Sequence, residues 1–205
     1  MSAGERSPAL RFLRIADPPA AWGGLGFTVQ DNAIALGEVR LELVGSGRGI
    51  QAWGMTGIDA PTSIDGLATE LADTNPAPPA LEHQNGALGI DHVVVSTPDF
   101  DRTADALAEA GLGLRRVHRA PGSRPMGFRR LGPVILELVE SPAGDGAAPA
   151  GFWGLVVTVR DLDALAQRLG QHLGPVHPAV QPGRRIASLR GSAGVSPAVA
   201  FMSPE

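Results

Sequence analysis

A stretch near the middle of the chain returns 62 positions later, and this repetition constrains the fold more than any other feature. Ile90-Asp91-His92-Val93-Val94-Val95 lies over Phe152-Trp153-Gly154-Leu155-Val156-Val157, and Asp99-Phe100-Asp101 over Asp161-Leu162-Asp163. Leu107 then falls on Leu169, and Ser141-Pro142 on Ser203-Pro204. Each copy reads as strand, helix and three strands. In the first copy, residues 90 to 96 form an apolar strand, followed by a helix that Asp99 caps, with Phe100, Ala104, Leu107 and Gly111 on one face. Residues 112 to 118, 126 to 131 and 134 to 140 follow as strands. A βαβββ unit buries one sheet face under its helix and leaves the other needing cover, so two units tend to pair and enclose a cavity.

The upstream third is harder to read. Leu36-Gly37-Glu38-Val39-Arg40-Leu41-Glu42-Leu43-Val44 echoes Leu131-Gly132-Pro133-Val134-Ile135-Leu136-Glu137-Leu138-Val139, and Trp53-Gly54 echoes Trp153-Gly154. Strands are expected at 10 to 15, 27 to 30, 33 to 36, 39 to 44 and 49 to 58. Asp17 reads as the N-cap of a single helical turn that Pro18 opens. Ile64, Leu67 and Leu71 recur at helical spacing and predict a helix over 63 to 72. The Asn/Pro/Ala-rich run after it reads as a linker. The expected organisation is a degenerate N-terminal unit over 8–72, a linker over 73–87, and a paired βαβββ domain over 88–205 with units 89–142 and 151–204. The fold class is α+β: tandem βαβββ repeats forming a curved mixed sheet around a cavity, with a degenerate extra N-terminal repeat.

Strand alternation assigns the faces of the first unit. Val93 and Val95 oppose His92, Val94 and Ser96; Leu136 and Leu138 oppose Ile135, Glu137 and Val139. The helix takes the purely aliphatic faces, which places His92 and Glu137 on the cavity side. A histidine and a carboxylate projecting into one cavity could bind a hard or borderline divalent ion. The plainer alternative is a direct His92–Glu137 hydrogen bond without metal, with Glu137 keeping the capacity of a general base. Val94 and Trp153 are candidate pocket wall. Of Arg184 and Arg185, Arg185 is the candidate for holding an anionic ligand, with a solvated arginine as the plainer alternative.

Composition removes whole classes of function. A net charge of −4 leaves no basic surplus with which to neutralise nucleic-acid phosphates. Arginines do cluster locally, at Arg115, Arg116 and Arg119, at Arg129 and Arg130, and at Arg184 and Arg185, and read as solvated strand edges. The absence of cysteine excludes disulfides, thiolate metal sites and cysteine nucleophiles. No apolar run approaches a membrane span, and the first residues lack a signal-peptide core, so the cytoplasm is the expected compartment.

The paired units, with Gly-Ile-Asp-His-Val-Val-Val at 89 to 95 and Val-Ile-Leu-Glu-Leu at 134 to 138, resemble the vicinal oxygen chelate superfamily. That superfamily includes glyoxalase I, extradiol dioxygenases, fosfomycin-resistance proteins and bleomycin-binding proteins. The resemblance implies a His or Glu ligand on the first strand of each unit and a Glu on the last; His92 and Glu137 stand at those positions. Gly154 stands at the matching histidine position of the second unit. Val199, or Ala200 if the register slips by one, stands at the matching glutamate. The implied cofactor is one divalent ion (Zn, Ni, Fe or Mn) on an incomplete ligand set, with Glu42 as a third ligand if the N-terminal unit pairs with the first repeat. The expected function is binding of a small molecule between units, with the metal site partial or lost. A metal-dependent lyase, isomerase or dioxygenase using His92 and Glu137 is one alternative. A non-catalytic structural or oligomerisation module is another. A homodimer is allowed for; nucleic-acid and membrane partners are not expected.

Overall fold

The computed structural model describes residues 7–59, 62–72, 81–141 and 146–205. Residues 73–80 of the expected linker, and 142–145 after the first repeat, lie outside them. Two mixed sheets account for most of the described chain. The first is built from β1 (Ala9–Ile15), β2 (Ala33–Leu36), β3 (Val39–Leu43), β4 (Ile50–Thr56), β5 (Ser63–Ile64) and β6 (Leu67–Leu71), with one short helix, α1 (Pro19–Gly24). The second contains β7 (Ala87–Thr97), β8 (Arg116–His118), β9 (Met126–Leu131), β10 (Val134–Glu140), β11 (Gly151–Val159), β12 (His177–Pro178), β13 (Arg185–Ser188) and β14 (Ala198–Met202). Helices α2 (Phe100–Glu109) and α3 (Leu162–Leu169) belong to this second set.

Both sheets share one plan. Their orders are β2-β3-β1-β4-β6-β5 and β12-β13-β14-β11-β7-β10-β9-β8. At each centre lies an antiparallel pair, β1·β4 or β7·β11, flanked on both sides by a parallel neighbour. In the second sheet Val93 pairs with Leu155, its own counterpart in the repeat, so the local two-fold passes between them. The N-terminal region repeats the arrangement in shortened form. The extra repeat expected there is thus itself double, with α1 in its first half and only residues 57 to 62 between β4 and β5 in its second.

The aliphatic faces of the second sheet are buried as their alternation predicts. Val93, Val95, Leu136, Leu138 and Phe201 are fully buried, and α2 and α3 add Phe100, Leu107, Leu162 and Leu165. Asp99 accepts a hydrogen bond from the Arg102 amide at 3.0 Å, and Asp161 accepts from Asp163 and Ala164, so both repeats start their helices with the same cap. One continuous core runs through both sheets, with Phe27 stacked on Phe201 and Trp53 edge-on to Phe152.

Three local expectations are corrected. Residues 63 to 72 form the hairpin β5–β6 rather than a helix. Asp65 and Gly66 take φ of 45° and 91°, the left-handed pair of a two-residue hairpin turn, and Asp-Gly is its usual sequence signal. The periodicity of Ile64, Leu67 and Leu71 was coincidental, and Leu71 is exposed. Asp17 does not cap α1: Pro18 is the N-cap, and no side chain caps the helix start. The buried Asp17 carboxylate instead accepts from Trp22 Nε1 and from the Ser196 amide, each at 3.0 Å, tying α1 to the loop before β14. Residues 27 to 30 make only one bridge, Gln30 to Ala33, so that Phe27 can turn its ring into the core.

The β5–β6 turn also joins the two sheets. Asp65 accepts from Arg102 Nε at 3.0 Å and from Thr103 Oγ1 at 2.5 Å, both at the start of α2. A Cβ on Gly66 would lie 2.4 Å from Pro149 Cβ. Gly66→Ala should therefore destabilise the protein by about 1–3 kcal/mol through positive φ and overpacking. Gly23→Ala, whose added Cβ meets nothing within 4 Å, should not. Urea denaturation of the two variants makes the comparison.

Candidate functional site

The central strand β7 does not run regularly. Opposite it, Val156 pairs with His92 and Val157 with Ile90, leaving Asp91 as an extra residue in a β-bulge. On β11 the same happens between Phe152 and Gly154, where Trp153 is extra. Asp91 and Trp153 are counterparts in the repeat, so the bulges obey the local two-fold. A bulge interrupts alternation and re-aims side chains. Here it brings Asp91 and His92, chain neighbours that a regular strand would send to opposite faces, within 2.5 Å at Oδ2 and Nδ1.

His92 is buried, and this contact closes off its Nδ1 side. The approach is poorly angled: neither Asp91 Oδ2 nor His92 Nδ1 completes a hydrogen bond. The Asp91 carboxylate is positioned by its other oxygen. Asp91 Oδ1 lies 2.7 Å from Arg184 Nη1 and accepts from Thr158 Oγ1 at 3.3 Å. The buried Arg184 is fixed in turn by Nε donating to the Ser203 carbonyl at 2.9 Å. Burial alone would raise the Asp91 pKa, but contact with His92 and then Arg184 more than offsets it and brings the group down to about 2.

Glu137 projects from β10 into the same space. It stands opposite Val94 on β7, two positions beyond the Ile135–His92 pair and so on the same sheet face. Desolvation by its apolar surroundings raises its pKa, with the charge of His92 pulling weakly the other way. Together His92 and Glu137 line a cavity of about 300 Å³ whose walls include Met126, Phe128, Ile186 and Met202. The expected His92–Glu137 hydrogen bond is not among those formed; the carboxylate against His92 is Asp91. A desolvated carboxyl beside an oriented imidazole is an arrangement suited to holding and moving a proton.

The other sequence candidates are placed elsewhere. Val94 is buried beside Glu137, while Trp153 is 60% exposed and lines neither this cavity nor its neighbour. Arg185 turns outward to Asp163, at 2.8–2.9 Å, and it is Arg184 that reaches inward. Glu42 lies in the other sheet, accepting from Arg14 Nη2 at 3.2 Å and Arg40 Nη2 at 2.5 Å. Arg14 also binds Glu70, so Glu42 is neutralised by guanidinium groups and is no third ligand for His92.

The missing half of the metal set is closed sterically. A Cβ on Gly154 would lie 2.1 Å from the Ala198 carbonyl oxygen, so no side chain fits there without backbone movement. Ala200 pairs with Val156, as Glu137 pairs with Val94, and so takes the glutamate position; Val199 points into the core. Among the described residues no three histidine or acidic side chains group as a metal site. Two donors do not fit a tightly held catalytic ion, for which about three protein ligands are usual.

Residues 89–193 match the sequence model of the Glyoxalase/Bleomycin resistance protein/Dioxygenase superfamily. No curated protein matches the chain. Among solved structures, 4-hydroxymandelate synthase from Streptomyces coelicolor (a S221M V223F Y359A mutant) is 14% identical and superposes with a TM-score of 0.63 over 98% of this chain and 93% of that one. A fusion of a xylose isomerase-like TIM barrel with a 4-hydroxyphenylpyruvate dioxygenase is 9% identical, with a TM-score of 0.64 over 99% of this chain and 51% of that one. Methylmalonyl-CoA epimerase from Mycobacterium tuberculosis is 17% identical over 61% of this chain and 93% of its own, at a TM-score of 0.48. At these identities the likeness is one of fold.

Two variants test the buried charges. Arg184→Ala leaves Asp91 buried without its guanidinium partner and should cost about 3–5 kcal/mol. Arg185→Ala, which breaks an exposed pair, should leave chemical denaturation nearly unchanged. Asp91 has its folded pKa below the ordinary 3.8, so its contribution is present above that value and is lost as pH falls toward about 2. Roughly 2 kcal/mol of acid-dependent stability should therefore vanish in Asp91→Asn.

Proposed function

The chain belongs to the Glyoxalase/Bleomycin resistance protein/Dioxygenase superfamily, and from that premise we propose that it binds a small molecule in the cavity beside β7 and β10 without a resident catalytic metal. The observation that carries this reading is the cavity itself: about 300 Å³, largely apolar, with His92 and Glu137 converging on it and His177 and Gln181 also in its lining. His92 is held at Nδ1 by Asp91, leaving Nε2 as the nitrogen available to a ligand. Glu137, with its raised pKa, keeps its proton above the usual carboxylate range and can donate to a ligand oxygen or return the proton from it.

A metal-dependent reading has one observation in its favour. A carboxylate behind the histidine nitrogen is also how metal-binding histidines are oriented. Elemental analysis of protein purified without chelator separates the two. The present proposal expects the same negligible metal in wild type, His92→Ala and Glu137→Gln; stoichiometric metal in wild type alone would establish the other reading. Screening a metabolite panel by thermal shift should yield ligands that raise wild-type Tm, since a ligand confined to the native state adds apparent stability. Those shifts should shrink in Glu137→Gln. Shifts that are identical in wild type and Glu137→Gln would overturn the assignment.

A further inference from the structure

The cavity holding His92 and Glu137 adjoins a second one, of about 470 Å³, and the two share His92, Phe128 and Gln181. The second has a very different lining: Arg115, Arg116, Arg129 and Arg130, with His118. Strand register explains part of this convergence. Arg116 pairs with Phe128 across β8·β9, and Arg130 with Ile135 across β9·β10. Ile135 in turn pairs with His92, so Arg116 and Arg130 share the face on which the histidine lies. Arg115 and Arg129 belong to the opposite alternation and add their charge at the sheet edge.

These arginines are not the salt-bridged arginines found elsewhere in this chain. Arg11, Arg14, Arg40, Arg102, Arg119, Arg184 and Arg185 all have carboxylate partners. Among the described residues none of the four around the cavity has one; Arg129 donates only to the Gly113 carbonyl, at 3.1 Å. Burial, and after it repulsion from Arg115, lowers the Arg129 pKa. A protein with net charge −4 thus concentrates four uncompensated cations around one concavity, which focuses an anion-attracting field there.

Charge count selects the ligand class. One carboxylate would satisfy one guanidinium fork and leave the rest repelling each other, whereas a phosphate or diphosphate offers several acceptor oxygens and two or more negative charges. We infer that the ligand has two parts: a phosphate or diphosphate group held by the arginine cluster, and an organic portion that reaches past Phe128 into the cavity of His92 and Glu137. This deepens the reading given above and rests on it for the second part. The arginines supply affinity and orientation, and the unit near Glu137 is the part on which a proton could act.

Titration calorimetry on the full chain tests this with three probes at matched ionic strength: inorganic pyrophosphate, a short-chain alkyl diphosphate, and citrate. Pyrophosphate should bind more tightly than citrate, and the Arg116→Ser/Arg130→Ser double variant should weaken it by about tenfold or more. The exposed pair Arg48→Ser/Arg190→Ser removes the same charge away from the cavity and should leave the affinity unchanged. The alkyl diphosphate should exceed pyrophosphate by about tenfold, since burying even a few methylenes is worth that much. Equal affinity for citrate and pyrophosphate, or equal losses in the two double variants, would overturn the anchor. An alkyl chain that adds nothing would overturn the two-part ligand. Failure of the anchor is distinct from failure of the cavity reading: the first appears in the arginine variants, the second in metabolite shifts that ignore Glu137→Gln.

Discussion

The antiparallel pairing of β7 with β11 is the contact on which the rest of the second sheet depends. Val93 faces its own repeat counterpart Leu155 there, so one register positions both units at once. It forms the long axis of the sheet, with β10 and β14 added in parallel on either side. The same register forces an extra residue into each strand at equivalent places. On β11 the extra residue is an exposed tryptophan; on β7 it is an aspartate turned onto a histidine. Two copies of one backbone irregularity thus place an ionisable pair in one half of the sheet and an exposed indole in the other.

Buried charge is distributed to match. His92, Asp91 and Arg184 form a chain in which each side chain contacts the next, ending at the Ser203 carbonyl. Such a chain is costly to interrupt, because removing one member strands another in low dielectric. In the N-terminal sheet, Arg14 lies between Glu42 and Glu70. In the second sheet Gly154 and Ala200 stand at the second unit's expected donor positions, so His92 and Glu137 have no counterparts there across the local two-fold.

Much of the fold could be read from the chain. The 62-residue repeat, the Asp99 and Asp161 caps, and the aliphatic alternation of β7 and β10 led to the paired architecture and to the face carrying His92 and Glu137. The hairpin at Asp65-Gly66 was also legible, but a helical spacing of three leucine-type residues masked the turn dipeptide. The role of Asp17 was not legible locally, because an Asp before Pro-Pro suits a helix cap and only the fold brings its carboxylate to the distant Ser196 amide. Asp91 was not legible at all: alternation assigns it to the wrong face, and only the bulge reverses that.

The sequence by itself determined the repeat, the helix caps, the composition of each sheet face and the lack of donors at the second unit's ligand positions. These depend on local periodicity and residue chemistry, which need no partner strand. Tertiary structure alone decided the register of β7 against β11, and with it the bulge that joins Asp91 to His92. It also decided that Arg184 rather than Arg185 turns inward, and that arginines from β8 and β9 gather beside the histidine. Each of these depends on which residues of distant segments lie opposite one another, a relation set by pairing across the sheet.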